Sequence, residues 1–488
     1  MVRFVKDCQS LCRFGLAQGE ISPPVGIYHR MWGAATHDRS TGVHRPLMAT
    51  AVAFRALEEK PPSSENEQIL IALDHCLLGT VEMELLLDSA SQLAGVIRES
   101  LLVVFSHTHG AGLMGFDRET LPGGELIRSY LKELSSSVAG LVAAARNKSQ
   151  PATIVYGVGR CALAENRDLW DEEGKQYVCG YNPEGPSDDT LLVARVTDRE
   201  GELLASVVNY ACHPTTLAWQ NTLISPDYPG AMREVVEQAT GAPCLFIQGA
   251  AGDVGPKEGF VGDVEVADRN GRQLGYAALS ALCGLSAPNM RFQYTGPVVS
   301  GATLGTWSWT PLSAEERERQ TRWQLRRWTV DLPYRSTLPT VEQAEAELKR
   351  CEAGIASAQA SDDKVKARDW RALAERQNRL LKRLNSLPPG ENFPYPIWLW
   401  RIGDAFWLAV EGEPYNLLQR SLRDRFVGVP IVVASLANGS RISYLPPADT
   451  YETGRYQETV ASLAPGCLEK VIDEAGRQIE SWLAGDGQ

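Results

Sequence analysis

The sequence predicts an α/β fold: mixed sheets flanked by helices, with an inserted helical hairpin and a β-rich C-terminal part. Over roughly residues 1–300, short apolar runs rich in Val and Ile alternate with segments of helical periodicity. This pattern is typical of a mostly buried sheet covered by helices. A segment richer in charged residues then follows, and strand-like runs resume after it.

The predicted elements follow from these runs and from the turn residues between them. Strands are expected at Gln68–Leu73, Leu101–Phe105, Thr153–Gly157, Leu191–Val196, Leu204–Tyr210 and Cys244–Ile247. Helices are expected at Gly123–Asn147, Gly230–Thr240 and Ala267–Leu282. In the C-terminal part, strands are expected at Ile397–Ile402, Ala405–Val410 and Pro430–Leu436, and a last helix at Leu468–Leu483.

The charged segment, from about residue 311 to about residue 390, predicts a helical insertion. Thr340–Ala360 and Asp362–Leu387 are rich in Ala, Glu, Lys, Arg and Leu, with apolar residues at helical spacing. They fit either a hairpin packed on the main body or a coiled coil with a partner. We expect the whole chain, 1–488, to be a single catalytic domain that contains this insertion.

Composition limits the classes of function. The chain of 488 residues is 44% hydrophobic and 22% charged, as in a globular protein. Its net charge of −12 argues against binding to nucleic acid or anionic membranes by bulk charge. We therefore expect no nucleic-acid partner. The charge does not bear on a small-molecule substrate, which the motifs described below lead us to expect, and the oligomeric state is left open.

Location is predicted from cysteine usage and hydropathy. The ten cysteines form no CxxC pair, and scattered thiols are typical of a reducing compartment. Neither a secretory apolar segment nor an apolar run of about 18 residues is found. These features predict a cytoplasmic protein without a membrane span.

Histidines give the first indication of chemistry. Of the seven histidines, His107 and His109 lie in Ser-His-Thr-His-Gly, directly after the apolar strand Leu101–Phe105. Positions i and i+2 of an extended backbone share a face. Both imidazoles could therefore bind one metal, one could bind while the other transfers protons, or both could be structural.

Further polar loops follow other predicted strands, as ligand-binding loops often do in α/β sheets. His213 begins His-Pro-Thr-Thr after one strand, and the segment 248–253, which ends at Asp253, follows another. Glu411 and Glu413 follow the strand Ala405–Val410 beside Gly and Pro, where acidic residues are more often solvated turn residues. Spacing alone does not bring these residues together.

Taken together, these motifs resemble the neutral/alkaline (non-lysosomal) ceramidase family. The motifs, in chain order, are ISPPVG (21–26), SHTH (106–109), NR (166–167), GPSDD (185–189), CHPTT (212–216), ISPDYPG (224–230), IQGAAGD (247–253), EGEP (411–414) and Asn438…Tyr444…Tyr451-Glu452. The resemblance extends from about Gly19 to Tyr456. It implies a zinc-dependent hydrolase that cleaves an amide (N-acyl) bond.

The resemblance also implies roles for single residues. The zinc ligands of the family fall on His107, His213, Glu413 and Tyr444. Two imidazoles, a carboxylate and a phenolate suit Zn²⁺, which accepts N and O donors. His109 is then free for proton transfer, and the remaining predicted site residues are Arg167, in catalysis and substrate binding, and Asp253, in substrate binding.

Three departures from the family pattern are visible. Gly255 stands where ceramidases carry a Ser proposed to act in catalysis, Gly110-Ala111-Gly112 replaces an SGPGG run, and we expect the C-terminal immunoglobulin-like domain to be absent. The sequence therefore predicts a divergent member that uses zinc-bound water directly. The alternatives are another metal-dependent hydrolase or lyase, acting on an ester or a sugar derivative, and a metal-stabilised protein without turnover.

Overall fold

An eight-stranded mixed sheet lies at the centre of the computed structural model, which describes residues 4–58 and 60–485. From one edge to the other its strands are Cys244–Gln248, Leu203–Tyr210, Thr190–Thr197, Gln150–Arg160, Gln9–Glu20, Met48–Arg55, Glu67–Leu73 and Leu101–Phe105. Only the outermost pair at each edge is parallel, and every other neighbouring pair is antiparallel.

A second sheet of four strands packs against one face of the first. Its strands, in order, are Trp323–Pro333, Asn392–Ile402, Ala405–Val410 and Ile431–Ala434. Large side chains fill the space between the two sheets, including Phe14, Phe54, Trp400 and Trp407, each at most 1% exposed. Because both sheets bury this face, the expected mixed sheets form a sandwich inside the helical layers.

Helices cover the two outer faces. In the described residues they are α1 (Thr80–Ala94), α2 (Ile127–Asn147), α3 (Tyr228–Thr240), α4 (Val264–Cys283), α5 (Ala314–Gln320), α6 (Val341–Ala360), α7 (Lys364–Ser386), α8 (Leu417–Arg425), α9 (Tyr456–Val460) and α10 (Cys467–Ala484). Helices α1 to α4 pack on the eight-stranded sheet, and α8 and α10 pack on the four-stranded sheet. The α/β fold with mixed sheets is thus confirmed.

Shorter sheets complete the fold. A three-stranded sheet contains Phe4–Val5, Met290–Ser300 and Ala302–Pro311. The two-stranded sheets pair Asp168–Asp171 with Gln176–Cys179, Gly42–Val43 with Leu223–Ile224, Ala164–Asn166 with Val254–Pro256, and Glu413–Pro414 with Tyr444–Leu445. The last of these pairs carries two of the predicted metal ligands, Glu413 and Tyr444.

The helical insertion is shorter than the sequence predicts. The charged hairpin begins only at Val341, whereas Trp323–Pro333, which follows the short α5 (Ala314–Gln320), is an edge strand of the four-stranded sheet. Its Val330 and Leu332 are buried, because alternate residues of this strand face the core. The α6–α7 hairpin is therefore inserted between two neighbouring strands of one sheet.

The two edges of the large sheet approach each other near the predicted site. The segment 435–438 runs between them: the Ser435 amide donates to the Gln248 carbonyl (3.1 Å), and the Asn438 amide donates to the Val103 carbonyl (2.8 Å). The loops after Leu101–Phe105 and Cys244–Gln248 therefore meet in space. Among the helices of the described residues, none is long and apolar enough to cross a membrane.

Candidate metal centre

His107 is oriented by the backbone around it. It adopts a left-handed conformation (φ 65°) after its strand, and its amide donates to the His75 carbonyl (3.0 Å). Nδ1 donates to the Cys76 carbonyl (2.7 Å), because a carbonyl oxygen only accepts. In the neutral ring, which is the form that binds a metal, Nε2 is therefore the unprotonated nitrogen.

His213 is held in the same way. Its amide donates to the Val254 carbonyl (3.0 Å), and its Nδ1 donates to the Ala251 carbonyl (3.3 Å). Its Nε2 is buried and has no hydrogen-bond partner in the described part of the chain. A buried polar atom without a partner costs free energy and calls for an explanation such as an ion.

The carboxylate of Glu413 lies close to the rings of both His107 and His213. Its Oε2 lies 3.2 Å from Nε2 of His107 and 3.8 Å from Nε2 of His213. One nitrogen from each ring and one carboxylate oxygen all lie within 4.8 Å of one another, and all three residues are buried. This donor set fits Zn²⁺, which is bound by imidazole and carboxylate ligands.

Tyr444 lies beside this group because its strand pairs in parallel with that of Glu413, and the two residues are in register. Its ring centroid is 6.4 Å from that of His213. Its hydroxyl accepts a hydrogen bond from Nη2 of Arg167 (2.9 Å), which also donates to the Gly252 carbonyl (2.7 Å). The structure thus brings the four predicted ligands together and places Arg167 next to them.

The charges of the group hold Glu413 and His213 in their metal-binding forms. They favour a proton on His107, because the lowering effect of burial is outweighed by Cys76 and Glu413, which raise the pKa of His107 well above its usual value, so that a metal would displace a proton there. Burial lowers the pKa of His213 well below its usual value, and the charge of Arg167 lowers it further. Burial also raises the pKa of Glu413, but His107 and Arg167 outweigh this effect and lower it. At neutral pH, Glu413 is an anion and His213 is neutral, as ligands must be.

His109 faces the ligand set without joining it by a hydrogen bond. Its ring centroid is 5.0 Å from that of His107 and 5.2 Å from that of His213. Both of its nitrogens are buried and lack a hydrogen-bond partner within the described residues. Burial, followed by the charges of His107, Arg379 and Arg167, lowers its pKa well below the usual value. It is therefore a neutral imidazole with a free nitrogen beside the centre.

Asp253 lies next to Arg167 but contacts the backbone. Its Oδ1 accepts a hydrogen bond from the Asn416 amide (2.6 Å), and its carbonyl accepts one from the Arg167 amide (3.0 Å). Burial raises the pKa of its carboxyl group to about 6. These contacts tie the segments around residues 167 and 416 together, and a role of Asp253 in substrate binding stays a prediction.

Space is available at Gly255. A Cβ atom there would lie 3.8 Å from Cβ of His213 and 3.9 Å from Cδ of Arg167, which are ordinary contact distances. A larger residue would fit and would point towards these two side chains. The missing side chain thus widens the site beside His213.

Ser225, His44 and Asp268 form a Ser-His-Asp arrangement beside the loop that contains His107 and His109. Nδ1 of His44 is 3.0 Å from Oγ of Ser225, and its Nε2 is 3.2 Å from Oδ1 of Asp268. Ser225 is 0% exposed, and its carbonyl accepts a hydrogen bond from the Thr108 hydroxyl (2.7 Å). Because no substrate can reach a fully buried hydroxyl, this group braces the loop and is not a nucleophile.

Three residues near the centre were not predicted from the sequence. Trp32 packs on His109 with ring centroids 5.1 Å apart, and Arg379 and Arg383 approach from α7. Trp32 lies shortly after the ISPPVG motif (21–26), which is only a weak signal for a functional residue. Nothing in the sequence distinguishes Arg379 and Arg383 from other arginines on a charged helix.

Comparison by sequence finds neutral ceramidases. The chain is 25% identical over 254 residues to the neutral ceramidase of Pseudomonas aeruginosa, a match that covers 50% of this chain and 37% of that protein. It is 24% identical over 282 residues to neutral ceramidase B of Dictyostelium discoideum, covering 51% and 38%. The matches thus span less than two fifths of these relatives' own length. No family model matches the chain.

Comparison by structure extends the similarity over nearly the whole chain. The crystal structure of the P. aeruginosa neutral ceramidase superposes with a TM-score of 0.64 at 17% identity, covering 98% of this chain and 75% of that one. A structure of a ceramidase complexed with C2 gives a TM-score of 0.63, also at 17% identity, covering 95% and 74%. The resemblance inferred from the motifs is confirmed: the chain is a divergent relative of the neutral ceramidases and has their fold.

Proposed function

We propose that this chain is a zinc-dependent amidohydrolase of the neutral ceramidase type, which cleaves an N-acyl amide bond. The observation that carries the proposal is the convergence of two oriented, buried Nε2 atoms on the carboxylate of Glu413. Tyr444, in register with Glu413, would be the fourth ligand. Zinc bound there would supply an activated water and polarise the scissile carbonyl.

The residues around the centre suit the remaining tasks of amide cleavage. His109 is neutral and has unpartnered nitrogens, so it would accept a proton as general base and return it to the leaving amine. Arg167 would hold the substrate from the side of Tyr444, to which it donates. Because the imidazole, the guanidinium and the ligand set are all buried, this environment strengthens their electrostatic interactions.

We propose that no covalent acyl-enzyme forms. Gly255 has no side chain, its neighbours Val254 and Pro256 carry no nucleophile, and the buried Ser225 is engaged by His44. Direct attack by water leaves nothing attached to the protein. Incubation with an amide substrate followed by intact-protein mass spectrometry should show an unmodified chain, and a stoichiometric acyl adduct would contradict this part of the proposal.

A panel of chromogenic N-acyl amides and matched esters tests the reaction class. The zinc-loaded protein should release amine from at least one amide, and the metal-free protein should not. Efficient cleavage of esters without amides would favour a different metal-dependent hydrolase. Full zinc occupancy without any turnover over acyl chains of increasing length would favour a protein that only binds metal.

A further inference from the structure

Arg383 of α7 carries a positive charge that no acidic side chain neutralises. Its Nη1 donates to the Val460 carbonyl (2.9 Å), and among the residues that the structure describes no carboxylate forms an ion pair with it. The residue is half-buried. A partly desolvated guanidinium that binds only a neutral carbonyl keeps most of its donors for another group.

The position of Arg383 is set by α9, which ends at Val460. Tyr456, the first residue of α9, packs on Tyr444 with ring centroids 5.8 Å apart. Burial lowers the pKa of Arg383, whereas the charges of Tyr456, Glu413 and Tyr444 act in the opposite direction. Arg383 therefore contacts one end of α9, the helix whose other end packs on the proposed metal ligand Tyr444.

Helix α7 is held against the main body by hydrogen bonds of its charged side chains. Glu375 accepts hydrogen bonds from both Nη1 (3.0 Å) and Nη2 (2.8 Å) of Arg118 in the main body. Arg379, one turn before Arg383, donates to Glu375 (2.7 Å) and to the carbonyl of Met31, the residue before Trp32. Side chains four residues apart lie on one face of a helix, so both guanidinium groups lie on the face of α7 that contacts the main body at Met31 and Val460.

The local charge contrasts with the charge of the whole molecule. The chain carries a net −12, yet Arg379 shares the carboxylate of Glu375 with Arg118, which also pairs with Asp117, and no carboxylate of the described residues forms an ion pair with Arg383. An anion bound at Arg383 would neutralise the charge of its guanidinium group. Because a guanidinium offers two parallel N–H groups to a planar carboxylate, a carboxylate is the anion it matches best.

We infer that Arg383 binds a carboxylate of the substrate, so that the preferred substrates are acidic N-acyl amides rather than neutral ones. The inference rests on the proposed amidohydrolase function and adds a substrate class to it. Arg379 acts as a positioning residue, because its hydrogen bond to Met31 fixes the segment that places Trp32 on His109.

A pair of substrates that differ in one charge tests the inference. N-octanoylglycine carries a carboxylate that its neutral counterpart, N-octanoylglycinamide, lacks. We expect kcat/KM of the zinc-loaded enzyme to be about tenfold or more higher for the acid, as a charge-assisted hydrogen bond predicts. Arg383→Gln should abolish this preference, Arg383→Lys should keep part of it, and Arg368→Gln, an exposed control on the same helix, should keep all of it.

Binding gives a readout that does not depend on turnover. Calorimetric titration of both compounds into zinc-loaded His109→Ala protein, with and without Arg383→Gln, should show the same roughly tenfold preference and its loss. If the wild type cleaves neither compound, the proposed function fails and these titrations alone decide the inference. Equal affinity for the two compounds, or a preference that survives Arg383→Gln because the metal attracts the carboxylate, would overturn it.

Discussion

At His107 the chain adopts a backbone conformation that non-glycine residues rarely take. The left-handed φ of 65° is held by the bonds to the His75 and Cys76 carbonyls. Such strain persists where surrounding contacts fix it, and it often marks a functional residue. Here it points Nε2 towards Glu413, so that two residues separated by 306 positions meet.

Replacement of His213 tests the ligand set. We expect the wild-type protein to bind about one zinc per chain and His213→Ala to bind none tightly, since the change removes one of the two imidazoles and leaves His107 as the only nitrogen ligand of the proposed set. Inductively coupled plasma mass spectrometry after dialysis measures the content. His37→Ala removes a half-buried histidine outside the group and should keep the metal. Full occupancy in His213→Ala would show that the ligand set is wrong.

Replacement of His109 separates catalysis from metal binding. His109→Ala should retain zinc, because the four proposed ligands His107, His213, Glu413 and Tyr444 all remain in place. Turnover should fall by about 10²-fold or more, the size typical of lost acid–base catalysis. Metal content and kcat are measured on the same preparation. If zinc is lost along with activity, His109 is a ligand instead.

At the scale of elements, the sequence predicted the helical hairpin but not where it packs on the main body. The charged sequence of the hairpin, with apolar residues at helical spacing, fits any solvent-facing pair of helices. The end points of α6 and α7 lie within two residues of the predicted ones. That α7 lies across the metal centre depends on contacts with Met31 and Arg118, far away in sequence. Local periodicity does not encode such contacts.

The ion pair between α7 and the main body should stabilise the fold. Arg118 is buried, and Glu375→Gln would remove the carboxylate that accepts from both of its terminal nitrogens and leave only Asp117 as a partner anion, at a cost of about 1–3 kcal/mol in the free energy of unfolding. Denaturant unfolding measures this difference. Glu347→Gln breaks an exposed pair on α6 and should change stability by less than about 0.5 kcal/mol. Equal effects of the two changes would contradict the account.

The same pair should give the stability a pH dependence. Burial raises the pKa of Glu375, but Arg118 and Arg379 together lower it below the ordinary 4.5. An acid with a lowered folded-state pKa stabilises the fold above its unfolded value and loses that contribution as the pH falls through the folded one. The stability difference between wild type and Glu375→Gln should therefore be constant above about pH 5 and shrink below 4.5.

For the whole molecule, the fold class was predictable, whereas the way the segments meet was not. Buried strands and strand-end motifs are local signals that made His107 and His213 candidates, but only the resemblance to the ceramidase family singled out Glu413 and Tyr444. The long strands Gln9–Glu20 and Met48–Arg55 at the centre of the large sheet were missed, because small residues weaken their apolar pattern. Gly15 is one of them, and it lets α2 pack closely: a Cβ there would collide with the Ala145 carbonyl.

Because the proposed ligands come from distant parts of the chain, metal removal should weaken the whole fold. A ligand that binds only the folded state at 100 times its Kd stabilises it by about 2.7 kcal/mol. Chelation should lower the melting temperature of the wild type, and added zinc should restore it. His213→Ala should melt at one temperature with or without chelator. A melting temperature of the wild type that chelation leaves unchanged would contradict a tightly held zinc.

The most direct test is a crystal structure of the zinc-loaded protein with anomalous diffraction measured on both sides of the zinc edge. We expect one strong peak per chain, with Nε2 of His107, Nε2 of His213, a carboxylate oxygen of Glu413 and the phenolic oxygen of Tyr444 each within about 2.0–2.3 Å. One coordination position should be left open towards His109. A peak coordinated by other residues, or no peak among these four side chains, would contradict the central claim.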